Sequence, residues 1–165
     1  MSKKTIVLAE DDASLRKLYT DFLSANGFNV LAAANGLDAL SLLHRVQPRL
    51  VLLDIMMPDL NGIEVCRRAR TFVDPKTPIV FLSSLDFAEH VSEGLKAGGD
   101  DYIIKTSRLD TILERVTYWS NSRAKIKSER RREKALTEIR KNEAPQDSDG
   151  APAEKDQSKV EITPP

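Results

Sequence analysis

The 165-residue sequence predicts an α/β fold of the (βα)5 kind, a doubly wound five-stranded parallel sheet. Three observations carry this. Short β-rich apolar runs alternate with amphipathic segments through the first 120 residues or so. Runs such as VLLD and IVFL are apolar on both faces, as strands covered on both sides by helices are. Asn-Gly and Gly-Gly pairs fall at the boundaries, where turn chemistry is needed.

The strands are expected at 5–9 (TIVLA), 28–33 (FNVLAA), 49–54 (RLVLLD), 78–83 (PIVFLS) and 102–105 (YIIK). Between and after them, helical spacing places Leu15, Leu18 and Phe22 on one face, then Leu37, Leu40 and Leu43, then Ile63, Cys66 and Ala69. Val91 and Leu95 mark a fourth helix, and Leu109, Ile112, Val116 and Trp119 a fifth. Asn35-Gly36 precedes the second helix, Asn61-Gly62 the third, and Gly98-Gly99 ends the fourth.

Composition limits the rest. With 41% hydrophobic residues the chain can build a core, and 30% charged residues with a mean hydropathy of −0.36 point to a soluble protein. No apolar run reaches the ~18 residues of a membrane span. The N-terminus (MSKKTIVLAEDD) meets acid before a signal core could form, so the cytoplasm is expected. One cysteine and two histidines are too few for a disulfide or a structural zinc site, which leaves hard metals bound by oxygen.

The zero net charge conceals a division: residues 1–122 carry 14 basic and 16 acidic side chains, 123–141 carry 9 and 3, and 142–165 carry 2 and 6. Three regions are therefore expected: a folded domain at 1–122, a charged helical extension at 123–141, and a disordered tail at 142–165, rich in Pro, Ala, Asp and Ser.

In an open parallel sheet, ligands bind beyond the carboxyl ends of the strands. Here those ends read Glu10-Asp11-Asp12 after the first, Asp54 after the third, Ser83-Ser84 after the fourth and Lys105 after the fifth. A phosphate-cradling loop needs glycine after the first strand, and EDDAS supplies carboxylates instead, so a nucleotide site is not expected. Two like charges about 4 Å apart repel by about 4 kcal/mol at an effective dielectric near 20, so Asp11 and Asp54 need a proton or a cation between them. Magnesium, or manganese, suits such a site and leaves positions open for phosphate oxygens. A carboxylate can form an acyl phosphate, which makes Asp54 the candidate nucleophile, with Lys105 to neutralise charge and Ser83 to donate a hydrogen bond. Each residue alone also has an ordinary reading: a helix cap for Glu10 to Asp12, a turn for Ser83 and Ser84, a solvated cation for Lys105. The joint arrangement is what argues for chemistry.

These residues resemble the receiver domain of two-component response regulators, which has a flavodoxin-like fold. The matching stretches are IVLAEDDASLR, LVLLDIMMPDLNG, PIVFLSS and KAGGDDYIIK, spanning residue 4 to about 120. The resemblance implies that Asp54 accepts a phosphoryl group from a sensor histidine kinase or a phosphotransfer protein. It implies that Asp11 and Asp54 ligate magnesium directly, with the Met56 backbone carbonyl, and that Glu10 acts through water. Ser83 and Lys105 would bind the phosphoryl group, Ser83 and Tyr102 would form the switch, and the surface of helix four, strand five and helix five would address a downstream target protein. A homodimer stays open.

Three departures from the family pattern stand out. Lys105 is followed by Thr106 where the family usually has proline after a cis bond; a cis bond before threonine costs about 3 kcal/mol, so the loop is expected to be trans and differently shaped, or strained. The switch hydroxyl is serine where threonine is commoner, which loosens its rotamer. Met56 and Leu85 occupy positions that tune hydrolysis in the family, and neither orients a water, so slow loss of phosphate is expected.

Other residues read as structural: His44 and His90 as solvated helix positions, Cys66 as core, Trp119 as the cap of the apolar stripe. Residues 123–141 are good helix formers, but Ile126, Leu136 and Ile139 sustain no heptad. No helix-turn-helix pattern follows, so no DNA-binding domain is expected. Two alternatives remain: a basic extension that binds nucleic acid or membrane, and a magnesium-dependent phosphatase. Met56 stands where the phosphatase would need its second acid, so an enzyme is not expected.

Overall fold

In the five-stranded sheet, alternation along each strand decides which layer a side chain enters. The computed structural model describes residues 2–84, 88–105 and 107–121; the extension at 123–141, the tail at 142–165, Leu85 and Thr106 lie outside the described residues. The elements run β1 (Lys4–Ala9), α1 (Ala13–Ala25), β2 (Phe28–Ala33), α2 (Gly36–Arg45), β3 (Leu50–Asp54), α3 (Gly62–Ala69), β4 (Ile79–Ser83), α4 (Ala88–Lys96), β5 (Asp101–Ile104) and α5 (Leu109–Ser120). All strand pairs are parallel, in the order β2-β1-β3-β4-β5.

Odd-numbered residues of the central strands, Val7, Ala9, Val51, Leu53, Ile79 and Phe81, pack with the inner faces of α2 and α3. Even-numbered ones, Ile6, Leu8, Leu50, Leu52, Val80 and Leu82, pack with α1 and α5. Both faces are thus covered, which is why these strands read as unbroken apolar runs.

The helix starts follow the expected turn chemistry. Asn35 Oδ1 accepts from the Asp38 N–H and Asn61 Oδ1 from the Glu64 N–H, each at 2.8 Å. Asp12 caps α1 in the same way, accepting from the Leu15 N–H at 2.8 Å, so this member of the acidic triplet has the capping role. Gly98, with φ +107°, closes α4 in the left-handed region.

Two helix faces differ from expectation. In α1 the buried residues are Tyr19 and Leu23, with Leu15 and Phe22 packed beside them, while Leu18 is 44% exposed. In α2 they are Gly36, Ala39 and Leu43, while Leu37 is 62% exposed. Side chains 3.6 residues per turn apart share a stripe wider than one leucine row, and its centre in both helices is set by a residue that does not look strongly apolar, Tyr19 and Ala39. The α3 and α5 stripes are as expected: Ile63, Cys66, Ala69, Ile112, Val116 and Trp119 are buried.

His44 is exposed and stacks on Phe72 with ring centroids 3.7 Å apart; His90 is half-buried. The Trp119 indole N–H donates to buried Asp101 Oδ2 at 2.8 Å, and the Arg115 guanidinium donates to the same oxygen. Arg70 ties the rim opposite the acids, donating to the Gly98 carbonyl (2.9 Å), the Thr77 carbonyl (2.8 Å) and Asp100 Oδ2 (2.8 Å).

Candidate functional site

The carboxyl ends of β1 and β3 are neighbours, with Ala9 paired to Leu53, so the residues that follow meet at one rim. There a ligand oxygen from each of Glu10, Asp11 and Asp54 lies within 4.8 Å of the others. Glu10 is fully buried, Asp54 is 2% exposed, and Asp11 faces solvent. Lys105, just past β5, reaches across β4: its Nζ is 2.7 Å from Glu10 Oε2 and 2.9 Å from Asp54 Oδ2.

The local chain holds each group in place. The Met56 N–H donates to Asp54 Oδ1 at 3.1 Å, and the Asp12 N–H to Glu10 Oε1 at 3.2 Å. Arg16 Nη1 donates to the carbonyls of Glu10 (2.8 Å) and Asp11 (3.1 Å), bracing the acidic segment from α1. The Lys105 N–H donates to the Ser83 carbonyl at 2.7 Å, and the Tyr19 hydroxyl to the Lys105 carbonyl at 3.4 Å. Behind Asp54, a Cβ on Gly62 would stand 2.1 Å from the Asp54 carbonyl oxygen, so only glycine lets α3 begin this close to the strand end.

Burial dominates the electrostatics. It pushes the Asp54 carboxyl up to about 7, with the Asp11 hydrogen bond and the Glu10 charge adding to the rise and Lys105 opposing it. Burial works against the charge on Lys105, but Glu10 and Asp54 outweigh it, and its pKa lies above the usual lysine value. Burial, then the Glu10 charge, raises Tyr19.

Three carboxylates against one ammonium leave surplus negative charge. No hydrogen bond of good angular geometry reaches Glu10 Oε2, although Lys105 stands beside it as an ion pair. Three carboxylates whose oxygens lie within 4.8 Å of one another form an all-oxygen donor set that fits a hard divalent cation.

Of the residues singled out in the sequence, Glu10, Asp11, Asp54 and Lys105 come together. Ser83 is buried at the adjacent strand end. Tyr102 is 41% exposed and does not join the cluster; its pairing with Phe81 puts it on the sheet face that also carries Ser83. The Met56 side chain is 63% exposed, and its contribution to the rim is the backbone. Arg16 and Tyr19 escaped the sequence reading. Tyr19 sits four residues from both Leu15 and Leu23, a spacing that marks its face; no pattern marks Arg16.

No helix among the described residues is long and apolar enough to cross a membrane. The sequence model of the response regulator receiver domain matches residues 6–117. The chain is 39% identical over 114 residues to the DNA-binding response regulator MtrA of Mycolicibacterium paratuberculosis, covering 69% of this chain and 50% of that protein. It is 39% identical over 123 residues to the probable transcriptional regulator ycf27 of Porphyridium aerugineum, covering 70% and 50%. The match thus spans about half the length of these curated relatives. Among solved structures, the receiver domain of the Francisella response regulator 1452 aligns with a TM-score of 0.66 at 31% identity, covering 72% of this chain and 97% of that one. The BeF3-activated N-terminal receiver domain of Klebsiella pneumoniae RstA aligns with a TM-score of 0.66 at 34% identity, covering 71% and 98%. With its (βα)5 sheet and acidic rim, the chain belongs to the response regulator receiver domain family of two-component systems.

Proposed function

We propose that the protein is a phosphorylation-activated signalling switch of the cytoplasm, accepting a phosphoryl group on Asp54 from a sensor histidine kinase or phosphotransfer protein. The observation that carries this reading is the Asp54 carboxylate at a buried strand end, 2.9 Å from the Lys105 ammonium and grouped with two further acids. An Asp54 oxygen attacks phosphorus, the P–N bond of the donor phosphohistidine breaks, and its electron pair returns to the imidazole nitrogen, which takes up a proton. Lys105 offers its charge, and Ser83 its hydroxyl, to the phosphoryl oxygens. Asp11, Asp54 and the Met56 carbonyl would hold magnesium or manganese, with Glu10 acting through water. When bound, that ion supplies positive charge to the crowded acids and to the phosphoryl oxygens.

The output is a change of protein contacts rather than turnover of outside substrates. Ser83 moves toward phosphate, Tyr102 turns inward, and the surface of α4, β5 and α5 changes its preference for a downstream protein. The two states need a differential affinity of a few kcal/mol for a partner to read them. The test is exposure of wild type and Asp54→Asn to a small phosphodonor with magnesium, followed by intact mass. A phosphoryl adduct on the first alone supports the reading; an adduct on both, or on neither, sinks it.

A second reading is favoured by the relatives' names, which describe DNA-binding and transcriptional regulators. In it the output is nucleic-acid binding through the basic residues at 123–141. Salt-dependent DNA binding by the full chain, lost on truncation at Asn121, would support it.

A further inference from the structure

A cavity of about 360 Å3 opens where the end of β2 meets α1 and α2. It is lined by the small-residue segment Ala32–Ala34 together with Arg16, Ser41, Leu42 and Arg45. The Arg45 guanidinium donates to Ser41 Oγ at 2.6 Å, and Arg16 uses only Nη1, for the carbonyls of Glu10 and Asp11. Neither arginine is ion-paired with a carboxylate among the described residues. Each therefore keeps unused N–H donors in a planar fork suited to carboxylate or phosphate. Asp38 also lines the cavity, but the Asn35 side-chain amide donates to it at 2.8 Å. Two guanidinium charges against one carboxylate leave the cavity cationic, although the acidic rim is nearby.

We propose that this cavity binds a small organic anion, a carboxylate or phosphate monoester on a short apolar body. Arg16 and Arg45 meet the acid group, and Leu42 with the alanine segment meets the body. The volume lies at the small end of ligand pockets, about 300–1,000 Å3, which suits a compact metabolite and is tight for a nucleotide. Lysine would offer a point charge here; two arginines offer oriented pairs of donors. Because Arg16 also braces the Glu10-Asp11 backbone, a ligand that draws on its guanidinium acts on the segment carrying the acids. Linkage then makes the effect reciprocal between the two sites.

The test follows backbone amide shifts of the full 15N-labelled chain while phenyl phosphate, benzoate or neutral benzyl alcohol is added to about 10 mM, high enough to see millimolar binding. The expected result is saturable shifts at residues 32–34 and 41–45 with at least one of the two anions and not with the alcohol. Phenyl phosphate alone would assign the ligand as a phosphate ester, and benzoate alone as a carboxylate. Arg45→Gln, on the exposed side of α2, should weaken binding at least tenfold while leaving the remaining amide spectrum in place. The proposal is overturned if the cavity amides do not move, if benzyl alcohol moves them equally, if Arg45→Gln binds as wild type does, or if the anions shift Ser83 and Lys105 instead.

Discussion

Lys105 Nζ lies 2.9 Å from Asp54 Oδ2, so the amine that follows β5 neutralises the carboxylate that ends β3, with β4 between them. The contact is almost dry, the two side chains being 12% and 3% exposed. Removing one partner of a buried pair commonly costs 3–5 kcal/mol, less where the stranded group can take up a proton instead. Asp54 can do so. Lys105→Met is therefore expected to destabilise the protein by about 1–3 kcal/mol at pH 8 and by less at pH 5. Urea melts at the two pH values check this; equal losses at both would break the link to Asp54.

Asp54 itself carries the opposite sign. Its folded pKa, about 7, lies above its ordinary 3.8. Between those values the unfolded chain has released the proton while the folded chain keeps it, so this group's contribution to stability falls as pH rises from about 4 to about 7 and stays low above. At 1.36 kcal/mol per pKa unit the ceiling is about 4 kcal/mol, and the partner lost by Lys105 reduces the net gain to about 1–2 kcal/mol. With chelator present, Asp54→Asn is expected to melt on the order of 5 °C above wild type at pH 8. The gap should close near pH 4 in a thermal scan, and a gap that widened toward acid would contradict the assignment.

Gly62→Ala should be severe. The added methyl meets the Asp54 carbonyl oxygen at 2.1 Å, and that oxygen is backbone and cannot swing away. Overpacking of this kind costs about 1–3 kcal/mol or more. A matched alanine at exposed Gly27, where no atom lies within 4 Å, separates crowding from the conformational cost that φ +91° imposes there. Denaturant midpoints should fall for both, with loss of phosphoryl acceptance from the small donor only in Gly62→Ala.

At the opposite rim, Asp100 Oδ2 accepts from Arg70 Nη2 at 2.8 Å and from the Ile79 N–H at 2.9 Å. Asp100→Ala strands a backbone donor at the start of β4 as well as a guanidinium, and an unsatisfied buried donor costs about 1–3 kcal/mol. A double-mutant cycle with Arg70→Ala should show coupling of about 1 kcal/mol. Additive losses would mean that the two residues act independently.

Most of the architecture was legible because it depends on repetition. Strands apolar on both faces, such as β3, declare their coverage, and Asn35 and Asn61 declare their helix starts through a cap three residues long. Asp54, Asp11 and Lys105 were legible because a parallel sheet sends every strand's last residue to the same rim. Leu18 and Leu37 misled because a leucine row names a helix face only to within a side chain or so, and both stand on its outer edge. Tyr19 carries a polar tip that hides an apolar body. Arg16 bonds backbone carbonyls, which are present at every residue and leave no imprint in a pattern of side chains, and Arg70 bonds two carbonyls and a carboxylate thirty residues away. The 360 Å3 hollow above Ala32–Ala34 arises from what those residues lack, and its walls come from helices whose packing distance no single stretch specifies.

The odd and even layering of the central strands also predicts where the chain tolerates change in length. One residue inserted between Ile6 and Leu8 would turn Leu8 toward α2 and α3 and push Glu10 and Asp11 off their rim, so the core and the acids would be lost together. Added residues at the exposed Asn26-Gly27 turn, between α1 and β2, touch neither layer and lie at the end of the sheet away from Asp54. That turn is therefore the natural seam for grafting a tag, a probe or a second protein onto this scaffold without disturbing its carboxylates.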